Sequence, residues 1–189
     1  MTVTGCPTRI QKRIDPAQRK ALLLQAAQQV LQREGLGSFS LEAVAREARV
    51  AATLPRYYFG STTGLLKAST AQLLQQVELI LMGRDPSATL SSRYTAYLQV
   101  LRKHPWGHDV WMRAAYLHVD FDAMISGARV RFSEILYRKP WEDLSYAEKI
   151  QALGRIGYIE AVVQTWIALG MVNTEETVDA LVKISTVTA

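Results

Sequence analysis

The chain of 189 residues contains one cysteine, Cys6, and no long hydrophobic run. A single cysteine cannot form an internal disulfide, and the N-terminal residues lack the continuous apolar segment of a secretory signal. The longest apolar segments are interrupted by Glu160 and Gln164, well short of the roughly 20 residues that cross a bilayer. We therefore expect a cytoplasmic protein with no membrane partner.

Motifs of catalysis, cofactor binding and metal binding are also scarce. The sequence has no glycine-rich phosphate loop and no nucleophile placed beside a base, so we expect neither enzymatic activity nor a cofactor. His104 and His108 have the spacing of metal ligands on a helix, but Pro105 between them interrupts the helix that this spacing requires. We expect no metal site, and we expect His104 to act as a cation at a helix C-terminus.

Charge is unevenly distributed along the chain. Residues 1–67 contain ten Lys or Arg and four Asp or Glu, a net charge of +6, whereas residues 68–189 carry −1. A basic N-terminal third on a nearly neutral remainder is typical of a protein in which one part contacts a polyanion. Solvated helix faces can carry the same surplus, so both interpretations stay open at this point.

Helical periodicity recurs along the chain, and no segment alternates in the manner of a strand. The pattern predicts an all-α fold of about nine helices. The first is expected at 19–34 with a stop at Gly35, and the second at 41–48 with Ser40 as its cap. Later long helices are expected at 62–82 after a Ser61 cap, and at 87–103, 106–119, 122–138, 145–170 and 174–186, with proline at several boundaries.

The segment LPRYYF, residues 54–59, follows the second helix after a short turn. Proline is tolerated in the first turn of a helix, so Pro55 predicts that a third helix begins here with Thr53 as its cap. Two short helices joined by a tight turn are typical of a helix-turn-helix, whose second helix enters the DNA major groove. Arg56, Tyr57 and Tyr58 would then contact bases and phosphates. Alternatively, the aromatic helix only packs against its neighbours.

Apolar and small residues of this region recur at fixed spacings: Leu23-Leu24, Ala26-Ala27, Val30-Leu31, Gly35, Val44-Ala45, Ala48, Val50, Tyr58-Phe59, Gly60-Ser61 and Leu65-Leu66. With these residues, segment 19–66 resembles the DNA-binding domain of the TetR family of transcriptional regulators. The resemblance implies a homodimer that binds double-stranded operator DNA, most often as a repressor, and that a small-molecule effector releases. It implies DNA contacts by Ser40, Ala52, Thr53, Arg56, Tyr57, Tyr58 and Thr62.

The same resemblance implies three parts of the chain. Residues 1–18 would be a basic arm, 19–66 the DNA-binding domain, and 67–189 the effector-binding and dimerisation domain. The arm could follow the minor groove or the backbone of DNA through Arg9, Lys12 and Arg13, or it could be a solvated tail.

Several positions depart from the family pattern. Arg49 stands where the family usually has the turn glycine, which predicts either strain or a different turn. Ala51, Thr53, Arg56 and Thr62 replace the usual Ser, Gly, Tyr and Lys. We expect Arg56 to supply the charge that Thr62 lacks. These departures leave an alternative open: a helical dimer that has lost sequence-specific DNA binding and acts as a ligand-binding or protein-interaction module.

The segment 146–170 has an apolar face broader than one neighbouring helix would cover. Gly154, Gly157 and Ala161 would let another helix come close. We expect a four-helix bundle between two subunits, with the last helix contributing. The predicted interface residues are Ile156, Ile159, Val163, Ile167 and Leu181. The alternative is that these side chains belong to the core of their own chain.

Large aromatic groups are dense in the C-terminal part of the chain. The predicted effector pocket consists of Trp106, Trp111, Met112, Tyr116, Tyr158 and Trp166. The segments VWMRAAYLHV and EAVVQTWIALG resemble the branch of the family that includes the repressor of choline-to-betaine genes. In that case the aromatic groups would enclose a quaternary ammonium ion. Ordinary core packing would account for the same residues.

Overall fold

The computed structural model of the chain describes residues 15–83 and 87–186, apart from the side chains of 114–116. This part contains nine α-helices and no strand, so the all-α prediction is confirmed. None of the helices in the described ranges is long and apolar enough to cross a membrane. The helices are α1 (Pro16–Glu34), α2 (Leu41–Glu47), α3 (Thr53–Phe59), α4 (Thr62–Met82), α5 (Leu90–Lys103), α6 (Pro105–Leu117), α7 (Val119–Tyr137), α8 (Tyr146–Ala168) and α9 (Thr174–Thr186).

Local sequence signals set the N-terminal helices. The hydroxyl oxygens of Ser40 and Ser61 accept hydrogen bonds from the third residues of α2 and α4, as the cap predictions require. The helix α1 stops at Gly35 as expected, but it begins at Pro16, three residues before the predicted start. Proline is well suited to the first position of a helix, since its N–H would have no partner there. The predicted basic arm therefore ends in helix, and its residues 1–14, with Arg9, Lys12 and Arg13, lie outside the described residues.

His104 lies between α5 and α6, and Pro105 begins the second of these helices. The backbone N–H of His104 caps α5 by donating to the Val100 carbonyl at 2.8 Å. Its imidazole is buried edge-on beside Trp106, and burial, with Lys103 adding to it, lowers its pKa. His104 is therefore neutral at neutral pH, and the prediction of a cation at this helix end is wrong.

Two hydrophobic clusters hold the helices together. The first joins side chains of the short N-terminal helices to α4 and onward to α5, α6 and α7, without a break at the predicted domain boundary. The second joins α5, α8 and α9. The chain crosses the predicted boundary at 66 inside the continuous helix α4.

The predicted dimer face of α8 lies inside the chain. Ile156 and Val163 of α8, and Leu181 of α9, are buried, while Ile159 and Ile167 are half-buried against the second cluster. These residues belong to the core of their own chain, the alternative stated above. The reason is that α8 is apolar around most of its circumference, so periodicity alone does not tell which face turns inward.

We predict that Gly64→Ala destabilises the protein by about 1–3 kcal/mol, the range for overpacking. A Cβ at Gly64 would lie 2.2 Å from the Phe59 carbonyl oxygen, which is backbone and cannot rotate away. The measurement is urea denaturation of the full chain. The control is Gly127→Ala in α7, where the nearest atom is the flexible end of Arg131 at 3.4 Å. The control should be neutral or stabilising, and equal effects of the two substitutions would contradict the packing argument.

Candidate nucleic-acid interface and ligand cavity

The turn between α2 and α3 is closed by backbone hydrogen bonds. The N–H groups of Ala48 and Val50 donate to carbonyls of α2 at 2.9 and 3.0 Å. Between them Arg49 takes a φ of +54°, in the left-handed region that favours glycine. Of the two expected consequences of an arginine at this position, the structure shows strain.

The helix α3 begins without a side-chain cap. Thr53 is its first residue, and Ala52 before it already has near-helical angles, φ −57° and ψ −25°. The predicted Thr53 cap is therefore wrong, because no extended residue precedes the helix to hold a capping hydroxyl. Pro55 is the third helical residue and is buried. The first four N–H groups of a helix have no intrahelical acceptor, so the N–H that Pro55 lacks costs no hydrogen bond. The argument that proline marks the start of a helix therefore holds.

The two faces of α3 have different neighbours. Pro55 is buried, and Leu54, Tyr58 and Phe59 pack against the first hydrophobic cluster. Arg56 and Tyr57 are exposed, the tyrosine by 81%. The ring of Tyr57 meets that of Tyr58 edge-on at 5.2 Å. The exposed face of α3 therefore consists of Thr53, Arg56 and Tyr57, while Tyr58 mainly supports it.

The other predicted DNA contacts lie at helix starts. Ser40 caps α2, Thr62 is the half-buried first residue of α4, and Ala52 is exposed before α3. Their contacts with DNA stay predictions. Two exposed arginines, Arg46 and Arg49, were not among the predicted DNA contacts, although both contribute to the surplus of positive charge in residues 1–67.

Some basic residues of the N-terminal region form ion pairs and others do not. Arg33 binds Glu34 and Glu47 at 2.9 and 2.8 Å, which raises its pKa. Lys67 binds Asp120 at 3.1 Å. In the described part of the chain, Arg46, Arg49 and Arg56 have no such partner. Three of the arginines without an ion pair therefore lie on or next to the helix-turn-helix, and Arg19 of α1 is a further one among the described N-terminal residues.

A cavity of about 380 Å³ lies among the C-terminal helices. This volume is in the range of pockets that hold small organic molecules. Helices α4 to α9 all contribute to its walls, which are mainly aliphatic and aromatic. The lining residues with polar or ionisable side chains are Arg93, Tyr94, Tyr97, His108, Trp111, Arg138, Glu160, Ser185 and Thr186.

Of the six residues predicted for an effector pocket, Trp111 lines this cavity. Trp106 is buried in the first cluster and Trp166 in the second. Met112 and Tyr158 are exposed, and the side chain of Tyr116 lies outside the described residues. The prediction of one aromatic pocket thus needs correction, because neighbouring aromatic residues on one helix point to different sides of it.

A half-buried carboxylate joins three helices beside the cavity. Glu160 of α8 accepts hydrogen bonds from the Trp111 indole N–H at 2.8 Å and from Arg129 at 2.8 and 3.3 Å. The Arg129 guanidinium also covers the Trp111 ring at 5.5 Å. The ring of Trp111 stacks on Phe132 at 5.7 Å. This network fixes α6, α7 and α8 against one another.

Two further lining groups were not expected from the sequence. Burial lowers the pKa of His108, against the weaker effects of Asp109 and Glu160, so its imidazole is neutral at neutral pH. Its Nε2 is buried without a hydrogen-bond partner. Burial raises the pKa of Tyr97, so its hydroxyl stays protonated. Among the described residues no cluster of three or more metal-ligating side chains occurs.

The helix-turn-helix region matches a known family. Residues 23–69 match the bacterial regulatory proteins of the tetR family. Over these residues the chain is similar to the DNA-binding region of that family. A stretch of 69 residues is 32% identical to the HTH-type transcriptional regulator BetI of Vibrio parahaemolyticus serotype O3:K6, covering 36% of this chain. The match spans about a third, 35%, of the length of that relative.

Solved structures extend the likeness to the whole TetR-like fold. A TetR-like transcriptional regulator from Rhodococcus sp. RHA1 has a TM-score of 0.66 at 22% identity, covering 92% of this chain and 96% of its own. A tetR-family regulator from Streptomyces coelicolor has a TM-score of 0.74 at 15% identity, covering 90% and 80%. The multidrug binding protein EbrR, complexed with imidazole, has a TM-score of 0.67 at 18% identity, covering 90% and 97%. At these identities the likeness shows the fold.

We predict that Arg49→Gly raises the free energy of unfolding by about 0.5–1 kcal/mol, because glycine adopts the left-handed conformation without strain. Urea denaturation of the full chain measures the change. Arg46→Gly is the matched control, since it removes the same charge from the regular helix α2. The control should lose about 1 kcal/mol. A loss at both positions would show that Arg49 is not strained.

Proposed function

We propose that the chain is a transcriptional regulator that binds operator DNA as a homodimer and releases it when a small molecule fills the C-terminal cavity. The observation that carries this proposal is the exposed pair Arg56 and Tyr57 on the second helix of a TetR-family helix-turn-helix. Neither side chain is needed for the core, and Arg56 has no ion pair among the described residues. Such a regulator works in the cytoplasm, in contact with the chromosome.

The side chains of the DNA-facing surface support binding in a groove of DNA rather than non-specific attraction to phosphates alone. An arginine on the exposed face of a recognition helix can donate two hydrogen bonds to guanine, and a tyrosine hydroxyl can donate to a phosphate. Arg46 and Arg49 add exposed positive charge close by in sequence. Arginines that neutralise DNA phosphates contribute affinity that falls as the salt concentration rises. Arg56 would make the affinity depend on the DNA sequence.

The outer face of α8 supports a dimer. Apolar and small residues are exposed along its length at helical spacing: Tyr146, Ile150, Leu153, Gly154, Gly157, Tyr158 and Ala161. The glycines let a second helix approach closely, and none of their Cβ positions meets an atom of the same chain within 4 Å. In a dimer formed through this face, the two α3 helices would have to lie about 34–36 Å apart to enter successive major grooves. We propose this face in place of the buried one predicted from the sequence.

The helix α4 supports communication between the two sites. Two residues separate its first residue, Thr62, from the end of α3. Further along α4, Leu73, Leu74, Val77 and Leu81 line the cavity. A ligand that displaces this wall therefore displaces the support of α3. Coupling of this kind changes the separation of the two recognition helices in a dimer. We propose repression relieved by ligand, the commonest arrangement in the resembled family.

Fluorescence anisotropy tests DNA binding, with the DNA that flanks the gene of this protein as the probe. We expect Arg56→Ala to weaken specific binding by about 1–3 kcal/mol, as loss of a base contact does. Arg113→Ala is the control, because this exposed arginine of α6 is remote in sequence from the helix-turn-helix and should leave affinity unchanged. Equal affinity for flanking and random DNA, or none for either, would contradict the proposal and favour the ligand-binding or protein-interaction module.

We predict that Leu153→Glu weakens the dimer by at least about tenfold in Kd, because an unpaired charge would be buried between subunits. Sedimentation velocity over a range of protein concentrations measures this change. Val119→Glu at the start of α7 is the control, since Val119 is more exposed than Leu153 and lies off the α8 face. A dimer that is unchanged by Leu153→Glu would show that the interface lies elsewhere.

A further inference from the structure

The charged groups that line the cavity are more often positive than negative, and they differ in whether they form ion pairs. Its described lining contains one carboxylate, Glu160, and two guanidinium groups, Arg93 and Arg138. These three groups decide which kind of ligand head group the cavity can accept, because the remaining walls are mainly apolar.

Glu160 is not available to a cationic ligand. Both of its oxygens already accept hydrogen bonds from Arg129, and one also accepts from the Trp111 indole. The Trp111 ring is in turn covered by Arg129 and stacked on Phe132. A quaternary ammonium ion would have to displace a guanidinium from both its carboxylate and its aromatic surface. The cavity therefore offers a poor site for the choline-like ligand that the sequence suggested.

Arg93 lies in the first turn of α5 with most of its bonding capacity unused. One terminal nitrogen donates to the Leu81 carbonyl at a long 3.4 Å, and its Nε is buried without a partner. The guanidinium packs across Gly83, where the Cβ of any other residue would overlap it. Neither Arg93 nor Arg138 has an ion pair in the described part of the chain.

Ion pairs between α4 and α7 indicate that the two arginines lie at the same end of the cavity. Lys67 pairs with Asp120 and Glu78 pairs with Arg131, and each pair is separated by 53 residues. The two helices therefore run in the same direction with a constant register. Continuing this register places Arg138 just beyond the C-terminal end of α4, where Arg93 packs on Gly83.

Away from this end, the wall that α4 contributes to the cavity is apolar. Leu73, Leu74 and Val77 of α4 are buried there, and Arg138 and Thr186 are the lining residues that are exposed. The cavity thus has a positively charged end that meets solvent and, along α4, an apolar inner wall. This polarity matches an amphiphilic molecule that enters with its apolar part first.

We propose that the cavity binds an elongated apolar molecule with one anionic group, of which a carboxylate is the simplest, paired with Arg93 and Arg138. The apolar part lies against the α4 wall. This inference rests on the proposed function only in taking the cavity as the effector site. Charge-assisted bonds from arginine to a carboxylate are stronger than bonds between neutral groups, so the head group should decide the affinity.

The test is isothermal titration calorimetry on the full chain with three probes that carry unbranched alkyl chains of similar length. Decanoate, decanol and decyltrimethylammonium differ mainly in head-group chemistry. We expect decanoate to bind at least about tenfold more tightly than decanol, and the ammonium probe to bind most weakly. Equal affinities, tightest binding of the ammonium probe, or no binding of decanoate at millimolar concentration would each overturn the proposal.

Substitutions locate the head group. In Arg93→Gln and in Arg138→Gln the affinity for decanoate should fall to within about threefold of that for decanol, because one charge of the pair is lost. Affinity for decanol should be unchanged, which shows that the cavity is still folded. Arg113→Gln, an exposed arginine of α6 that does not line the cavity, is the control and should keep the full preference. A preference that survives in both lining variants would overturn the assignment.

DNA binding by the ligand-free chain separates this inference from the proposed function. If the chain fails to bind flanking DNA but still prefers decanoate, the regulator proposal fails and the ligand class stands. If DNA binding is specific but the three probes bind alike, only the ligand class fails.

Discussion

The two surfaces of the protein depend on one continuous helix. The 21 residues of α4 begin at the turn that follows α3 and end at the charged end of the cavity. The turn is tight because Gly64 lets the helix pass against the Phe59 carbonyl, and the Ser61 hydroxyl fixes its start. Since α3 has only seven residues and little core of its own, its orientation is set by this junction.

The hydrophobic core makes this dependence stronger. Leu65 near the start of α4 and Leu73 and Val77 further along belong to the same cluster as Leu23 of α1 and Phe121 of α7. Close-packed side chains change position together rather than one at a time. A small change at the cavity wall is therefore carried into the packing that holds the short N-terminal helices, and no flexible linker absorbs it.

Local signals were predictable from the sequence, whereas the inward face of an apolar helix was not. Ser40, Ser61 and Pro55 identify helix starts because each acts through its immediate neighbours. The faces of α8 were assigned wrongly because both sides are apolar, and only the packing of α5 and α9 against one side decides between them. Arg93 carried no motif and the spacing of His108 suggested only a metal site, because the cavity arises from helices far apart in sequence.

An anion at Arg93 would lie at the opposite end of α4 from Thr62, about 30 Å away at 1.5 Å per residue. Direct contact with α3 is impossible over this distance, so the effect must be a displacement of the whole helix. The two ion pairs between α4 and α7 are largely exposed on their basic side, and such pairs resist sliding only weakly. By contrast, the Glu160 network fixes α6, α7 and α8 to one another. The helix α4 is therefore held to α7 less firmly by polar contacts than α6 and α8 are, and it is also the wall that supports the DNA-facing helix.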